Sequence, residues 1–126
     1  MSIDHMGLSV VDMAKMKDFY VKVVATLDLK VGYEAPNGGA VGLGDGTSFP
    51  CLFLMKSDTQ QRPRAHFAFR AKNRAAVNAF YKVAMELGAK DNGPPGIREH
   101  YHSNYYSCFV IDPEGHNIEA VTHAAE

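Results

Sequence analysis

The segment His5-Met-Gly-Leu-Ser-Val-Val-Asp12 aligns without a gap with His66-Phe-Ala-Phe-Arg-Ala-Lys-Asn73. Matched residues lie 61 positions apart, and the match continues to the aromatic pairs Phe19-Tyr20 and Phe80-Tyr81. A long internal match of this kind is the signature of a repeated structural unit. The 126 residues are therefore predicted to form two equivalent modules, one over about 1–60 and the other over about 62–126.

Each module contains one predicted helix. Asp12 and Asn73 can accept hydrogen bonds from the free N–H groups of a first helical turn, and both precede apolar residues that recur at helical spacing. Gly88 follows the second apolar stripe and is a typical helix stop. We therefore expect helices over 12–27 and 73–87.

Strands are predicted on both sides of each helix. Apolar residues alternate with polar or small ones over 3–10 and 65–71, which is the period of a half-buried strand. Turn residues separate further strand-like segments, which we expect over 30–35, 40–43, 50–56, 89–91, 105–111 and 116–122. The Gly- and Pro-rich residues 91–105 are expected to form an irregular loop. The βαβββ order in each half predicts an α+β fold: two modules in one domain, 1–126, with the helices outside a curved mixed sheet.

Composition excludes several classes of protein. The chain is 46% hydrophobic and has a formal net charge of −1, so it can bury a core, and it has no basic block of the kind that binds nucleic acid. No run approaches the ~20 apolar residues of a membrane span. Two cysteines, Cys51 and Cys108, and a start without a signal-like segment favour a reduced, cytoplasmic protein whose thiols are buried and inert.

Strand alternation predicts where the strand histidines face. The apolar face of each first strand must contact a helix, so His5 and His66 face the other side. In the last strand Ile118 and Ala120 take the apolar side, which sends Glu119 to the side of the histidines. Two imidazoles and one carboxylate suit a divalent transition metal and leave coordination positions open for a substrate. The alternative is that the histidines are ordinary hydrogen-bonded side chains and that Glu119 is a solvated carboxylate.

The whole pattern resembles the vicinal oxygen chelate superfamily, which includes glyoxalase I, extradiol dioxygenases and bleomycin-type resistance proteins. The resemblance extends from Ile3 to about His123 and is most specific in Asp112-Pro-Glu-Gly-His-Asn-Ile-Glu119. It implies two modules around a cup, a divalent ion (Fe, Mn, Zn or Ni), a small oxygen-bearing substrate, a homodimer, and the ligand set His5, His66 and Glu119. The implied activity is that of a metal-dependent lyase or dioxygenase. The alternative is a metal-free protein that sequesters a small, antibiotic-type molecule in the same cup.

One position departs from the glyoxalase pattern. The first-half counterpart of Glu119 falls within 52–54, close to Phe53, where glyoxalase I would present a carboxylate. The remaining ligand set is more similar to that of extradiol dioxygenases, which are usually larger. Bleomycin-type binders match the length but typically dispense with the metal ligands. The superfamily resemblance therefore leaves the reaction, the substrate and the metal open.

Further side chains qualify for roles beside a metal. A histidine that titrates near neutral pH or a tyrosine that donates a proton can serve as a general acid or base. The candidates for this role are His102, Tyr105 and Tyr106. Arg64 and Arg70 alternate with His66 along their strand, so either guanidinium could bind an anionic substrate group through two parallel hydrogen bonds. The alternatives are core packing for the tyrosines and solvation for the arginines.

Overall fold

The structure is a computed structural model that describes residues 2–126. The chain divides after Pro63 into two compact units, and each unit contains one helix and its own mixed sheet. This confirms the α+β prediction with two modules. The prediction that both modules form a single domain over 1–126 stays a prediction.

The first unit follows the βαβββ order. Its elements are β1 (Met6–Val10), α1 (Met13–Ala25), β2 (Lys30–Glu34), β3 (Ala40–Gly44) and β4 (Leu52–Lys56). The strand order is β1-β4-β3-β2, with β1 and β4 parallel and the other neighbours antiparallel. The first and last strands of the unit therefore lie side by side.

The second unit repeats this arrangement with one additional short strand. Its elements are β5 (His66–Arg70), α2 (Arg74–Glu86), β6 (Lys90–Asp91), β7 (Gly96–Ile97), β8 (Tyr106–Ile111) and β9 (Asn117–Thr122). The strand order is β5-β9-β8-β6, and β7 also pairs with β8. As in the first unit, the first and last strands are parallel neighbours.

The predicted caps account for where the helices begin. Asp12 accepts a hydrogen bond from the backbone N–H of Lys15 at 3.1 Å, and Asn73 accepts one from Ala76 at 2.8 Å. Each cap residue therefore lies just before its helix, and both helices end within two residues of the predicted ends. Gly88 adopts a positive φ of 88°, as expected for the residue that stops α2.

The helices cover one face of each sheet, where the core lies. In the first unit Leu8 and Val10 of β1 are fully buried, together with the apolar stripe of α1. In the second unit the stripe of α2 packs against β8 and β9, where Val110 and Ile118 are fully buried. The alternate residues of the first and last strands therefore have their side chains on the face opposite the helix.

Two strand predictions were wrong in detail. The first strand begins at Met6 rather than Ile3, because the N–H of Met6 makes the first ladder bond, to the carbonyl of Cys51, and Ile3 is 86% exposed. The expected loop over 91–105 contains β7, since Gly96 and Ile97 pair with β8. Within residues 2–126 the structure shows no helix with the length and apolarity to cross a membrane.

Candidate functional site

His66 and Glu119 form a close pair on the second sheet. Ala68 is the register partner of Glu119 in the parallel β5–β9 ladder, and His66 lies two residues before Ala68, so all three share a face. The Nε2 atom of His66 is 3.6 Å from Oε2 of Glu119. Glu119 is only 2% exposed although it is an acid. The structure thus brings together two of the three predicted metal ligands.

The hydrogen bonds of His66 define which ring nitrogen is available. Its Nδ1 lies 2.9 Å from the backbone carbonyl oxygen of Asn117, which can only accept, so Nδ1 carries the hydrogen. In the neutral ring, Nε2 then presents a lone pair toward the carboxylate of Glu119. Two lone-pair atoms in this position repel each other unless a positive charge lies between or beside them. Protonation of His66 or a bound cation would each supply that charge.

Tyr105 holds the other oxygen of the buried carboxylate. Its hydroxyl donates to Oε1 of Glu119 at 2.5 Å. Burial, together with this hydrogen bond and the negative charge of Glu119, raises the pKa of the Tyr105 hydroxyl well above its ordinary value. Tyr105 therefore keeps its proton and fixes the orientation of the carboxylate.

One further polar atom on this face has no partner. Asn117 is the register partner of His66, and its side-chain oxygen Oδ1 is buried without a hydrogen bond in the part of the chain that the structure describes. Burying an unpaired amide oxygen costs free energy. Together with Nε2 of His66 and Oε2 of Glu119, it makes this face rich in acceptors that a cation or a donor from a ligand would satisfy.

His5 occupies the corresponding position in the first unit. It lies just before β1, and its Nδ1 is 2.6 Å from a carboxylate oxygen of Asp4. An ionised carboxylate can only accept, so here too Nδ1 carries the hydrogen, and the neutral ring has its lone pair on Nε2. His5 and His66 therefore share the same hydrogen-bond pattern.

An apolar cavity lies beside His5 in the first unit. It has a volume of about 320 Å³ and is lined by His5, Gly7, Phe49, Phe53 and Met55. The imidazole of His5 meets the rings of Phe49 and Phe53 edge to face, with centroids 5.4 and 5.6 Å apart. Phe49 is 63% exposed, so this aromatic surface is open to solvent.

The two units carry different residues at the register position of Glu119. Gly7 pairs with Phe53 in the β1–β4 ladder, as Ala68 pairs with Glu119 in the β5–β9 ladder. Because Gly7 and Ala68 are matched residues of the repeat, Phe53 is the counterpart of Glu119. The predicted location of the missing acid near Phe53 therefore agrees with the register, and an aromatic ring takes its place.

The other candidate residues are distributed differently. His102 Nε2 is 2.7 Å from Nδ1 of His123, and the His102 ring contacts the Tyr105 ring edge to face at 5.4 Å. Tyr106 lies on the helix side, where its hydroxyl donates to Asn78 of α2, so the structure does not bring it together with Glu119. The alternation of neighbouring strand residues explains this difference between the two tyrosines.

The two predicted arginines are also placed differently. Arg64 donates to the backbone carbonyl of Glu114, which commits its guanidinium to the turn before β9. Arg70 is exposed and lies four residues after His66 on the same face of β5. Of the two, Arg70 therefore keeps the position that was predicted for a substrate-binding residue.

Two residues of the second sheet were missed by the sequence analysis. Phe109 is the register partner of Glu119, and its ring stacks on His66 with centroids 6.1 Å apart. Arg98 also contacts this ring, with its guanidinium carbon 5.5 Å from the centroid of Phe109. The alternation of β8 could have placed Phe109, but no periodic pattern in the Gly- and Pro-rich loop signals Arg98.

The chemistry of His66 and Glu119 in the second unit is suited to binding a metal ion. Ligating histidines usually donate their other N–H to a carbonyl or carboxylate, and ligating carboxylates are themselves hydrogen-bonded; His66 and Glu119 show both features. Two donors bound to one ion at about 2.0–2.2 Å lie within about 4 Å of each other, as these two do. Within residues 2–126, no group of three or more His, Cys, Asp or Glu side chains is arranged to hold a metal.

Residues 2–120 match the model of the Glyoxalase/Bleomycin resistance protein/Dioxygenase superfamily. A search of curated proteins gives no match. Many solved structures are similar to this chain, and three of them illustrate the range. A glyoxalase/bleomycin resistance protein from Albidiferax ferrireducens T118 is 21% identical with a TM-score of 0.77, and the alignment covers 94% of this chain and 97% of that one.

The other two similar structures have more specific names. A lactoylglutathione lyase from Agrobacterium tumefaciens is 20% identical over 96% of this chain and 92% of its own, with a TM-score of 0.69. The fosfomycin resistance protein FosX from Mesorhizobium loti is 21% identical over 96% and 91%, with a TM-score of 0.67. Because the sequence identities are only 20–21%, these similarities show that this chain shares the fold of the three proteins.

Proposed function

Because this chain belongs to the glyoxalase/bleomycin resistance protein/dioxygenase superfamily, we propose that it is a metal-dependent enzyme that acts on a small oxygen-bearing molecule. The proposed ligands of one divalent ion (Fe, Mn, Zn or Ni) are His5, His66 and Glu119. The observation that carries the proposal is the matched hydrogen bonding of the two histidines, each of which gives its Nδ1 hydrogen to an oxygen and keeps Nε2 as a donor atom.

When bound, the ion would supply Lewis-acid or redox chemistry to vicinal oxygens of the substrate. Glu119 is oriented by Tyr105, whose hydroxyl retains its proton. We propose that Tyr105 positions the carboxylate and that His102, in contact with the Tyr105 ring, moves a proton to or from the substrate. Arg70 is the proposed substrate-binding residue of β5.

The reaction class is proposed as that of a lyase or a dioxygenase. A lactoylglutathione lyase is among the proteins with a similar fold. The Phe53 ring takes the place of a fourth ligand, so the proposed set of two histidines and one acid leaves positions open for substrate oxygens. We assign no catalytic role to Tyr106 and no substrate-binding role to Arg64, because their polar groups bind Asn78 and the backbone of Glu114.

The metal content of purified variants tests this proposal. The parent, saturated with Fe²⁺, Mn²⁺, Zn²⁺ or Ni²⁺ and then desalted, should retain about one ion per chain by elemental analysis. His5→Ala, His66→Ala and Glu119→Ala should remain folded and lose that ion, and acid should release it from the parent because ligands must be deprotonated. The control His100→Ala removes an exposed loop imidazole and should retain the ion. Equal metal content in all variants would overturn the proposal.

A metal-free binding protein is the second candidate function. The apolar cavity beside His5 favours it, because its lining is largely aromatic and it has the size of a small-molecule site. In this case the chain would sequester its ligand without converting it. Binding of a small-molecule panel by the chelator-treated protein, with turnover absent after metal is restored, would support this second function against the first.

We further propose that the protein is a cytoplasmic homodimer that binds neither nucleic acid nor membranes. Both thiols are free, which suits a reducing compartment. Cys108 is buried as predicted, whereas Cys51 is exposed, so the prediction of two buried thiols was wrong. Burial raises the pKa of the Cys108 thiol to about 12, so this thiol is unreactive at neutral pH. Sedimentation equilibrium would test the dimer, since a mass near 13.8 kDa would contradict it.

A further inference from the structure

The guanidinium of Arg98 is held against the ring of Phe109, which also stacks on His66. Its Nη2 donates to the carbonyl oxygen of Pro94 at 2.7 Å, and its plane lies over the ring of Phe109. A Cβ atom on Gly93 or on Gly96 would lie 3.0 Å from the guanidinium nitrogens. The two glycines therefore leave the space into which the side chain of Arg98 folds.

Arg98 shares a face with the proposed metal ligands. Its N–H donates to the carbonyl of Tyr105, which continues the β7–β8 ladder, so Arg98 and Tyr105 lie opposite each other and point the same way. Tyr105 reaches Glu119, and Phe109 contacts both Arg98 and His66. The guanidinium of Arg98 and the imidazole of His66 therefore share one neighbour, the ring of Phe109.

The guanidinium of Arg98 has no carboxylate partner in the described part of the chain. Among residues 2–126 the structure shows no ion pair between Arg98 and a carboxylate, and its one side-chain hydrogen bond goes to a neutral carbonyl. Most of its five N–H donors are thus available to a ligand. A guanidinium that is already held loses little conformational entropy when it binds a carboxylate or a phosphate.

We propose that Arg98 is an anion-binding residue of this site, in addition to Arg70 of β5, and that the substrate carries a carboxylate, phosphate or phosphonate group. The inference rests on the proposed function, because it places the anionic group of the same substrate beside the metal ligands. The ligand is then a small molecule in which a few bonds separate the anionic group from the oxygens that would face the metal. Uncharged substrates would lack a partner for the guanidinium.

Titration with inorganic phosphate and with acetate tests this inference without any turnover. Two-dimensional NMR of the metal-free parent should show saturable shifts at Arg98 and Phe109 that chloride at equal ionic strength does not produce. Arg98→Gln should bind these anions more weakly, with a dissociation constant at least about tenfold larger. Arg98→Lys keeps the charge but loses the planar fork, so its affinity should lie between that of the parent and that of Arg98→Gln. The control Lys82→Gln removes one positive charge from the exposed side of α2 and should bind as the parent does.

The outcomes distinguish this inference from the proposed function. Unchanged affinity in Arg98→Gln, or equal weakening in Lys82→Gln, would overturn the role of Arg98 even if the protein holds a metal. If none of the ligand variants loses the bound metal and anion binding still depends on Arg98, only the metal proposal is overturned. If Arg98→Gln unfolds, Arg98→Lys decides: parent-like affinity in it would reject the specific guanidinium fork.

Discussion

The two sheets carry side chains of different chemistry at the register position shared by Glu119 and Phe53. Glu119 and Phe53 occupy equivalent register positions, yet the first is a buried acid bonded to Tyr105 and the second belongs to an aromatic cluster with His5 and Phe49. A carboxylate can bind a cation, whereas a phenyl ring supplies apolar contact area. The repeat has therefore kept its backbone pairing while the side chains diverged.

Removing the Phe53 ring should affect ligand binding but not metal binding. Phe53→Ala takes away a wall of the 320 Å³ cavity and the ring contacts to His5 and Tyr33. Phe53 is only half-buried, so the loss of stability should be smaller than the about 3–5 kcal/mol of a fully buried phenylalanine. Urea denaturation and elemental analysis measure the two effects. Loss of metal in a folded Phe53→Ala protein would show that Phe53 supports the ligand set.

Tyr105 should make the stability of the protein sensitive to alkaline pH. Its folded-state pKa is raised above the ordinary value of 10.0, so the folded protein keeps a proton that the unfolded chain releases. Its contribution is full below about pH 10 and is lost as the pH rises further. Cys108 contributes in the same direction from pH 9.0 to about 12, so the comparison belongs in a Cys108→Ala background.

In the Cys108→Ala background, the further substitution Tyr105→Phe should make the free energy of unfolding fall less steeply above pH 10. At pH 7 the same variant should lose about 1–3 kcal/mol, because a buried oxygen of Glu119 loses its donor. Urea titrations at a series of pH values measure both quantities. A parallel pH dependence with and without the Tyr105 hydroxyl would contradict the assigned cause of the pKa shift.

The site residues were predictable from the sequence where the two-residue alternation of a strand determined which face they occupy. Alternation along β5 and β9 was sufficient to put His66 and Glu119 on one face, because a strand has only two faces. It was not sufficient for Tyr105, which precedes β8 and whose partner lies on another strand. Arg98 lies in a stretch without periodicity, and its position depends on contacts with Pro94 and Phe109 that sequence spacing does not contain.

At the level of elements, the helix caps offer the clearest stability test. Asn73→Ala removes the acceptor for the N–H of Ala76 and should destabilise the protein by about 1 kcal/mol. The control Lys82→Ala changes an exposed position inside the same helix and should have an effect of only a few tenths of a kcal/mol. Urea denaturation measures both. Equal effects of the two substitutions would mean that the cap bond contributes nothing to α2.

The boundaries of the elements show what local patterns can and cannot define. Both helices were predicted to within two residues at each end, because a cap residue and an apolar stripe define them. The first strand was extended too far, since residues 3–5 alternate correctly but have no neighbouring strand to pair with until Met6. The two-residue strand β7 was missed because pairing with β8, rather than any local period, creates it.

At the scale of the whole molecule, the repeat explains why one small chain can offer two different surfaces. Each unit places its first and last strands side by side, so the same backbone positions present His5 and Phe53 in one unit and His66 and Glu119 in the other. Sequence self-similarity predicted this symmetry of the backbone. The divergence of the side chains makes the first surface apolar and the second polar.

The proposed ligand set draws on both units, so metal should stabilise the molecule as a whole. A ligand that binds only the folded state at 100 times its dissociation constant adds about 2.7 kcal/mol, which corresponds to a rise in Tm of roughly 10 °C for a chain of this size. The rise should disappear in His5→Ala as well as in His66→Ala and Glu119→Ala, and should persist in His100→Ala. Differential scanning calorimetry with and without metal measures it. A rise that survives in His5→Ala but not in His66→Ala would confine the ion to the second unit, and the three-ligand proposal would then be wrong.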